Sequence, residues 1–426
     1  MDHSPEITNC EVLAPAGSFE SLAAALRSGA DAVYFGVGEL NMRSRSTANF
    51  RMADLPKVVR LCRRCGARAY LTLNIVVYDA ELPLIRQLCD AALAAGVDAV
   101  IAADWSVIEY AAAIGLGVHV SVQANVSNLA ALRFYARYAE LVVLARELPL
   151  SRIAEIAAAI RRENIAGPGG RRLRLEVFAH GALCVAVSGR CYMSLAAYQA
   201  SANRGGCFQN CRRRYRVTDL DSGSELELAG EYVMSPKDLC TIRFVDRLLE
   251  AGVDVLKLEG RGRSADYVAT VTGCYRQAVD LVAAGRFGPE AVTALENRLE
   301  TVFNRGFWYG GYYLGEPLAQ WSPGGGNQVA YLKTQVGAVI RYFNRLGVAE
   351  LELSAAALHC GDRLLVTGPT TGAMEFVVSE IRQDDIRRDD APKGTVCSVP
   401  VPSKVRPHDR VYRLSRRRFG EEGGES

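Results

Sequence analysis

No apolar run in this 426-residue chain reaches bilayer length, and the stretch MDHSPEITNC lacks the basic and apolar parts of a signal peptide. No membrane contact and a cytoplasmic location are expected. Charge of one sign is also missing: 50 Lys+Arg against 47 Asp+Glu leave a net charge of +3. Global attraction to nucleic acid is therefore weak, although Arg171-Arg172, Arg212-Arg213-Arg214 and Arg416-Arg417-Arg418 form local basic patches. There is no GxSxG elbow, no HExxH pair and no protease-type cysteine context, which argues against the common hydrolase chemistries. The 12 cysteines do not read as a disulfide framework, which belongs to small secreted domains. Cys89 and Cys274 lie inside helical patterns and read as packing residues. Cys62 and Cys65 form CRRC at a helix end, but nothing nearby completes a site.

What is present is a repeated alternation. Short apolar runs (CEVLAPAG, DAVYFGV, RAYLTLNIV, DAVIAAD, HVSVQANV, LVVLAREL, RLEVFAHG, DVLKLEGRGR) alternate with amphipathic stretches, many ended by Gly. Strands apolar on both faces and separated by helices imply a parallel sheet. Eight such strands suit a closed TIM-like (βα)8 barrel, an α/β fold, spanning residues 1–284 with a Cys-rich insertion at about 180–240. Residues 285–328 read as a helical, aromatic and Gly-rich connector ending in SPGGG. In residues 329–426 the period changes to two (TQVGAVIRYF, VAELELSA, GDRLLVTGP, EFVVSEIR, DRVYRLS), which predicts a small C-terminal β-barrel domain.

In a TIM-like barrel, chemistry gathers at the C-terminal strand ends. Those ends carry Asn41, Arg43, Arg45 and Asn49, then Asn74, Asp104, Gln123, Asn125, Arg146 and Glu147. The eighth strand adds Lys257, Glu259, Arg261 and Arg263. The seventh opens into a segment holding Cys184, Cys191, Cys207 and Cys211, with Cys240 following. The pairs are Cx6C and Cx3C rather than the CxxC knuckles of structural zinc, so an iron–sulfur cluster is the better fit. His180, four residues before Cys184, could serve a nucleophilic cysteine or move a proton near neutral pH. Glu176, His180, Asn74, Gln123 and Asn125 are the candidate catalytic group. Arg212-Arg213-Arg214-Tyr215 combines charges for phosphate with a ring for stacking.

EVFAHGALCVAVSGRCYMS, NRGGCFQNCRRRY and SPKDLC resemble the peptidase U32 family, the so-called collagenase-like proteins. So do LAPAGSFESLAAALRSGADAVYFG, SVQANVSN, LKLEGRGRSADYV and FNRGFWYGGYYLG, and the likeness spans about residues 10–315. The resemblance implies a 4Fe–4S cluster on Cys184, Cys191, Cys207 and Cys240, with Cys211 as the substitute for the last. It also implies RNA hydroxylation with prephenate as co-substrate, tRNA uridine being favoured over rRNA cytidine by length and tail. A peptidase is the alternative that the family name carries. On this reading Arg43, Arg45 and Arg146 meet the prephenate carboxylates beside Glu259. Lys237, Lys257 and Arg212, Arg213, Arg214 hold the RNA backbone, and the β-rich tail adds RNA surface.

Overall fold

A computed structural model describes residues 10–45, 47–187, 189–213, 215, 217–223, 225–226, 234–315 and 327–417. Eight parallel strands form its centre: β1 Glu11–Ala16, β2 Ala32–Phe35, β3 Arg68–Leu73, β4 Ala99–Ala102, β5 Gly117–Val120, β6 Leu141–Val143, β7 Arg174–Gly181 and β8 Val255–Leu258. Pairing runs β1 to β7 in order, then β7 to β8 and β8 back to β1, so the sheet closes. This is the TIM-like barrel expected from the eight apolar runs. The cause is visible in β1, β2 and β4, where every residue is buried because helices cover one face and the barrel interior the other.

The helices are α1 Phe19–Arg27, α2 Leu55–Arg64, α3 Leu82–Ala95, α4 Trp105–Ala113, α5 Leu129–Ala136, α6 Leu150–Arg162, α7 Val245–Glu250 and α8 Ala265–Ala283. Their ends follow local chemistry. Ser18 and Ser21 cap the start of α1 reciprocally. Gly96 closes α3 at φ 78°, a conformation that costs a residue without Cβ nothing.

The barrel interior is unusually polar. At its lower end Glu11 accepts hydrogen bonds from Tyr70 Oη at 3.0 Å, Arg174 Nη2 at 2.9 Å and Arg68. Above them His119 packs edge-on against Tyr70, with ring centres 4.4 Å apart. Higher still, Lys257 Nζ meets Glu176 Oε1 at 2.6 Å, both side chains buried.

One irregularity decides the position of His180. Strand alternation would put Glu176, Phe178 and His180 on the same inner face. The β7–β8 register shifts between Lys257 and Leu258, pairing Lys257 with Phe178 but Leu258 with His180. An extra residue on one strand turns all later side chains to the opposite face. His180 therefore packs outward against Tyr275 and Tyr267 of α8 and against Phe307.

Two short strands extend the sheet from this point. Asp238–Cys240 runs antiparallel to the end of β7, and Phe307–Tyr309 pairs parallel with it. Beyond the connector helix Pro289–Leu299, an eight-stranded antiparallel sheet runs from Tyr331–Phe343 to Arg410–Arg416. It curls around its own core of Val336, Leu351, Leu364, Val366 and Val411. Its order begins with Gly372–Val377 and ends with Ile386–Arg388. This domain docks on the flank of the barrel. Arg410 pairs with Glu20 of α1 at 2.9 Å and Lys333 with Asp266 of α8 at 2.5 Å. No helix among the described residues is long and apolar enough to cross a membrane. The SPGGG boundary, Arg214 and Arg418 lie outside the described residues.

Candidate functional site

At the C-terminal mouth of the barrel lies a cavity of about 310 Å³. The barrel contributes its floor and walls. Tyr34 comes from β2, Thr72 and Asn74 from β3 and its end, Ser121 and Gln123 from the β5 end, and Arg146 from the loop after β6. Phe178 comes from β7, and Lys257, Glu259, Arg261 and Arg263 from β8 and its loop. The cysteine segment folds over the opening as a lid. Arg204 fastens it through two bonds to Glu81, at 2.9 and 2.6 Å, and one to Val76 O at 2.7 Å. Arg190 adds a bond to Gln123 O at 3.0 Å.

Cationic side chains dominate the lining. Arg43, Arg146, Arg212, Lys257, Arg261, Arg263 and Arg305 reach the cavity, against one lining carboxylate, Glu259. Arg43 Nη2 donates to Glu259 Oε1 at 2.6 Å, and Tyr34 Oη donates to Glu259 Oε2 at 3.2 Å. Burial alone would push the Glu259 carboxyl up. Arg43, Arg261 and Arg146 outweigh it and hold the group down at about 2. Arg261 Nη1 bonds to Asn41 Oδ1 at 3.0 Å and Thr72 Oγ1 at 2.8 Å, in space a Cβ on Gly36 would occupy. Burial lowers this guanidinium to about 10. The buried Nε atoms of Arg146 and Arg261 have no hydrogen-bond partner among the described residues. Such unmatched buried donors are costly unless an anionic ligand meets them.

Four cysteines line this cavity: Cys184, Cys191, Cys207 and Cys211. They share one electrostatic environment: after burial and Arg212, the other three are the groups that move the Cys211 thiol, whose net shift is upward. The backbone N–H of Met193 points at Cys191 Sγ at 3.4 Å. Among the described residues no three His, Cys, Asp or Glu side chains converge on a point that one metal ion could occupy. A cubane cluster makes a different demand, since each thiolate binds a different iron. Four cysteines around one cavity supply the number of thiolates such a group takes.

Cys240 does not join them. It is fully buried outside the barrel wall, 4.0 Å from Tyr275 Oη, and burial pushes its thiol up to about 12. Of the expected ligand Cys240 and its substitute Cys211, only Cys211 lines the cavity. The reason is the antiparallel pairing of Cys240 with His180, which carries the residue behind the sheet.

His180 also departs from expectation. Its Nδ1 lies 3.4 Å from Tyr275 Oη, and burial drives its pKa down to about 3. It is neutral at pH 7 and does not line the cavity, so it is not placed to relay protons there. Among the described residues no hydrogen bond joins a histidine ring to a serine or cysteine, so a nucleophile–base pair is not assembled.

The other expected residues divide. Asn74, Gln123, Arg43, Arg146 and Glu259 line the cavity. Glu176 lies beneath it, reaching it only through Lys257. Asn125 takes a left-handed turn at φ 50° and keeps its Oδ1 buried and unpartnered outside the lining. Lys257 sits on the cavity floor, too deep to hold an RNA backbone. Lys237 packs its methylenes near Gly306, away from the cavity. Arg212 is committed to the protein, bonding Ser235 Oγ and Pro236 O at 2.7 Å and Leu183 O at 2.5 Å. Arg45 lies over the Phe208 ring at 4.7 Å, and Arg213 bonds Tyr198 on the rim. Tyr34, Ser121 and Arg305 line the cavity without having been singled out. Tyr34 could have been found from its inward register in β2. Arg305 gave no signal, because only the fold brings it to Asp238 at 3.2 Å.

The fold and the site define a TIM-like barrel whose mouth combines a cysteine quartet with an arginine-rich cavity. Residues 17–323 match the family model described as Peptidase family U32, and the chain belongs to that family. It is 49% identical over 411 residues to a protein of Porphyromonas gingivalis named collagenase, covering 96% of this chain and 99% of that one. It is 36% identical over 281 residues to tRNA hydroxylation protein P1 of Bacillus subtilis, covering 64% of each chain. A 23S rRNA 5-hydroxycytidine synthase of Escherichia coli is 34% identical over 277 residues, covering 65% of this chain and 40% of that protein. The relatives' names divide between RNA hydroxylation and proteolysis.

Proposed function

We propose that this chain is an RNA hydroxylase that uses prephenate as co-substrate and a 4Fe–4S cluster held by Cys184, Cys191, Cys207 and Cys211. The observation carrying this reading is the cavity itself. Its cations exceed its lining carboxylates, two of its guanidinium nitrogens are buried without partners among the described residues, and four thiols line it. A small dicarboxylate satisfies the first two features, and an iron–sulfur centre the third. When bound, the cluster supplies electron transfer or a Lewis-acidic iron. The chain's own part is to hold the carboxylates on Arg146 and Arg261. The Arg43–Glu259 pair fixes the loop after β2. Asn74, Ser121 and Gln123 offer a hydrogen-bonded polar wall for a nucleobase.

The rim suits single-stranded RNA. Tyr192 is 80% exposed, and Tyr198 and Phe208 pack at a 40° tilt with ring centres 4.5 Å apart beneath Arg213 and Arg45. Exposed rings interleaved with arginines hold unpaired bases regardless of sequence, and a base that undergoes ring chemistry must first leave its stack. The reading is tested by mass spectrometry of tRNA and rRNA nucleosides from a deletion strain. Loss of 5-hydroxyuridine derivatives, restored by the wild-type gene but not by Cys184→Ala, is expected. Unchanged nucleosides, together with gelatin cleavage by the purified chain, would move the assignment to peptidase.

A further inference from the structure

The proposed function leaves the buried pair at the cavity floor without a task. Lys257 is the only lysine among the described residues that lines the cavity, and its side chain is 6% exposed. Its amine lies 2.6 Å from Glu176 Oε1, and Glu176 Oε2 is buried with no partner among the described residues. Burial of the pair away from water, set against Lys257, leaves the Glu176 carboxyl raised above its ordinary range and so ready to take up a proton. The walls are aromatic: Lys257 Nζ stands 4.7 Å from the Tyr34 ring centre and 5.6 Å from that of Phe178. The same two rings carry the carboxylate-binding groups. Arg146 lies 4.0 Å over Phe178, and Arg261 is 5.9 Å from the Tyr34 centre. Both guanidinium groups and the amine line the one cavity.

We propose that Lys257 is a nucleophile toward the carbonyl carbon of a 2-oxo acid bound in this cavity, with Glu176 as its proton partner. This rests on the reading of the cavity as an anion site, and the 2-oxo acid side chain of prephenate belongs to the class. The ammonium of Lys257 passes a proton to Glu176, and the freed lone pair forms a C–N bond with the carbonyl carbon. The oxygen takes one proton from that nitrogen and one back from Glu176, then leaves as water. An iminium remains, Glu176 is restored, and no oxidant or reductant is consumed. Glu176 is suited to the exchange because burial, set against Lys257, leaves its carboxyl raised above the ordinary range. Such an iminium withdraws electrons from the rest of the ligand and holds it covalently during the reaction.

The test is reductive trapping on the full chain with pyruvate and sodium cyanoborohydride, followed by peptide mass mapping. A carboxyethyl adduct on Lys257 that forms faster than one on the exposed Lys57 is expected. In Glu176→Gln its rate should fall about a hundredfold, in line with loss of a positioned proton-transfer group. Circular dichroism of that variant separates this loss from misfolding. No adduct on wild-type Lys257, or labelling no faster than at Lys57, would overturn the proposal and leave the pair as a core ion pair. The trap needs no RNA, so the two readings fail separately. An adduct with unchanged cellular nucleosides supports Lys257 and removes RNA hydroxylation. Missing adducts with lost 5-hydroxyuridine do the reverse.

Discussion

Replacing Cys211 and Cys240 one at a time separates two placements that the spacing of the cysteines leaves equal. Cys211 lines the cavity with Cys184, Cys191 and Cys207, whereas Cys240 is buried against Tyr275. Cys211→Ala should therefore lose most of the iron, acid-labile sulfide and visible absorbance after anaerobic reconstitution, as Cys184→Ala should. Its effect on apoprotein stability should be small, because the residue is only half-buried in a single short helical turn, Asn210–Arg212. Cys240→Ala should keep the iron and lose stability instead. Deleting one buried atom the size of a methylene costs about 0.8 kcal/mol in transfer, and the space left behind raises this to roughly 1–2 kcal/mol. For a domain of this size, with an unfolding entropy of about 2.1 cal/mol/K per residue, that lowers Tm by about 2–3 °C. The assays are iron per chain and a thermal melt on the same preparations. A Cys240→Ala protein without iron beside a Cys211→Ala protein with iron would refute the assignment and the geometry behind it.

Three further outcomes follow from the site. Arg146→Ala removes a cavity guanidinium, so the KM for the anionic co-substrate should rise roughly ten- to hundredfold, the value of one or two charge-assisted hydrogen bonds; an unchanged KM would place the carboxylate elsewhere. Phe208→Ala should weaken single-stranded RNA binding by about 1–3 kcal/mol in fluorescence anisotropy while leaving iron content intact, and equal affinity would remove the stacking rim. Histidine titrates near 6.5 when unfolded but at about 3 in folded His180. Between those values the unfolded chain binds a proton that the folded site refuses, so stability is full above about pH 6.5 and falls as pH drops toward 3, by about 1.4 kcal/mol per pH unit. His180→Phe should flatten that limb in denaturant titrations, with His119, also held well below its ordinary value by burial, supplying the remainder.

The architecture was legible because it is written in local patterns. A strand covered on both faces must be apolar along its whole length, and a helix ending in Gly before the next such strand repeats the unit. DAVYFG, DAVIAA and DVLKLE each became a barrel strand for this reason. The change to a two-residue period likewise announced the antiparallel tail. Cavity residues at strand ends, such as Asn74, Gln123 and Arg146, were also legible, because a parallel barrel has one open end where polar residues can follow an apolar core.

The roles of Cys240, His180, Lys257 and Arg212 were decided only by tertiary structure. His180 faces α8 because a register shift between β7 and β8 reverses its side chain, and no residue type marks that shift. Cys240 follows it behind the sheet because its strand pairs there rather than returning to the mouth. Lys257 and Glu176, 81 positions apart, meet inside the barrel, and Arg212 turns from solvent to brace Leu183. Sequence periodicity determined which segments are strands and which face each other's helices, since that depends on neighbours a few residues away. Which thiol reaches the cavity and which charge is buried depend on contacts between distant segments, and those exist only once the barrel has closed.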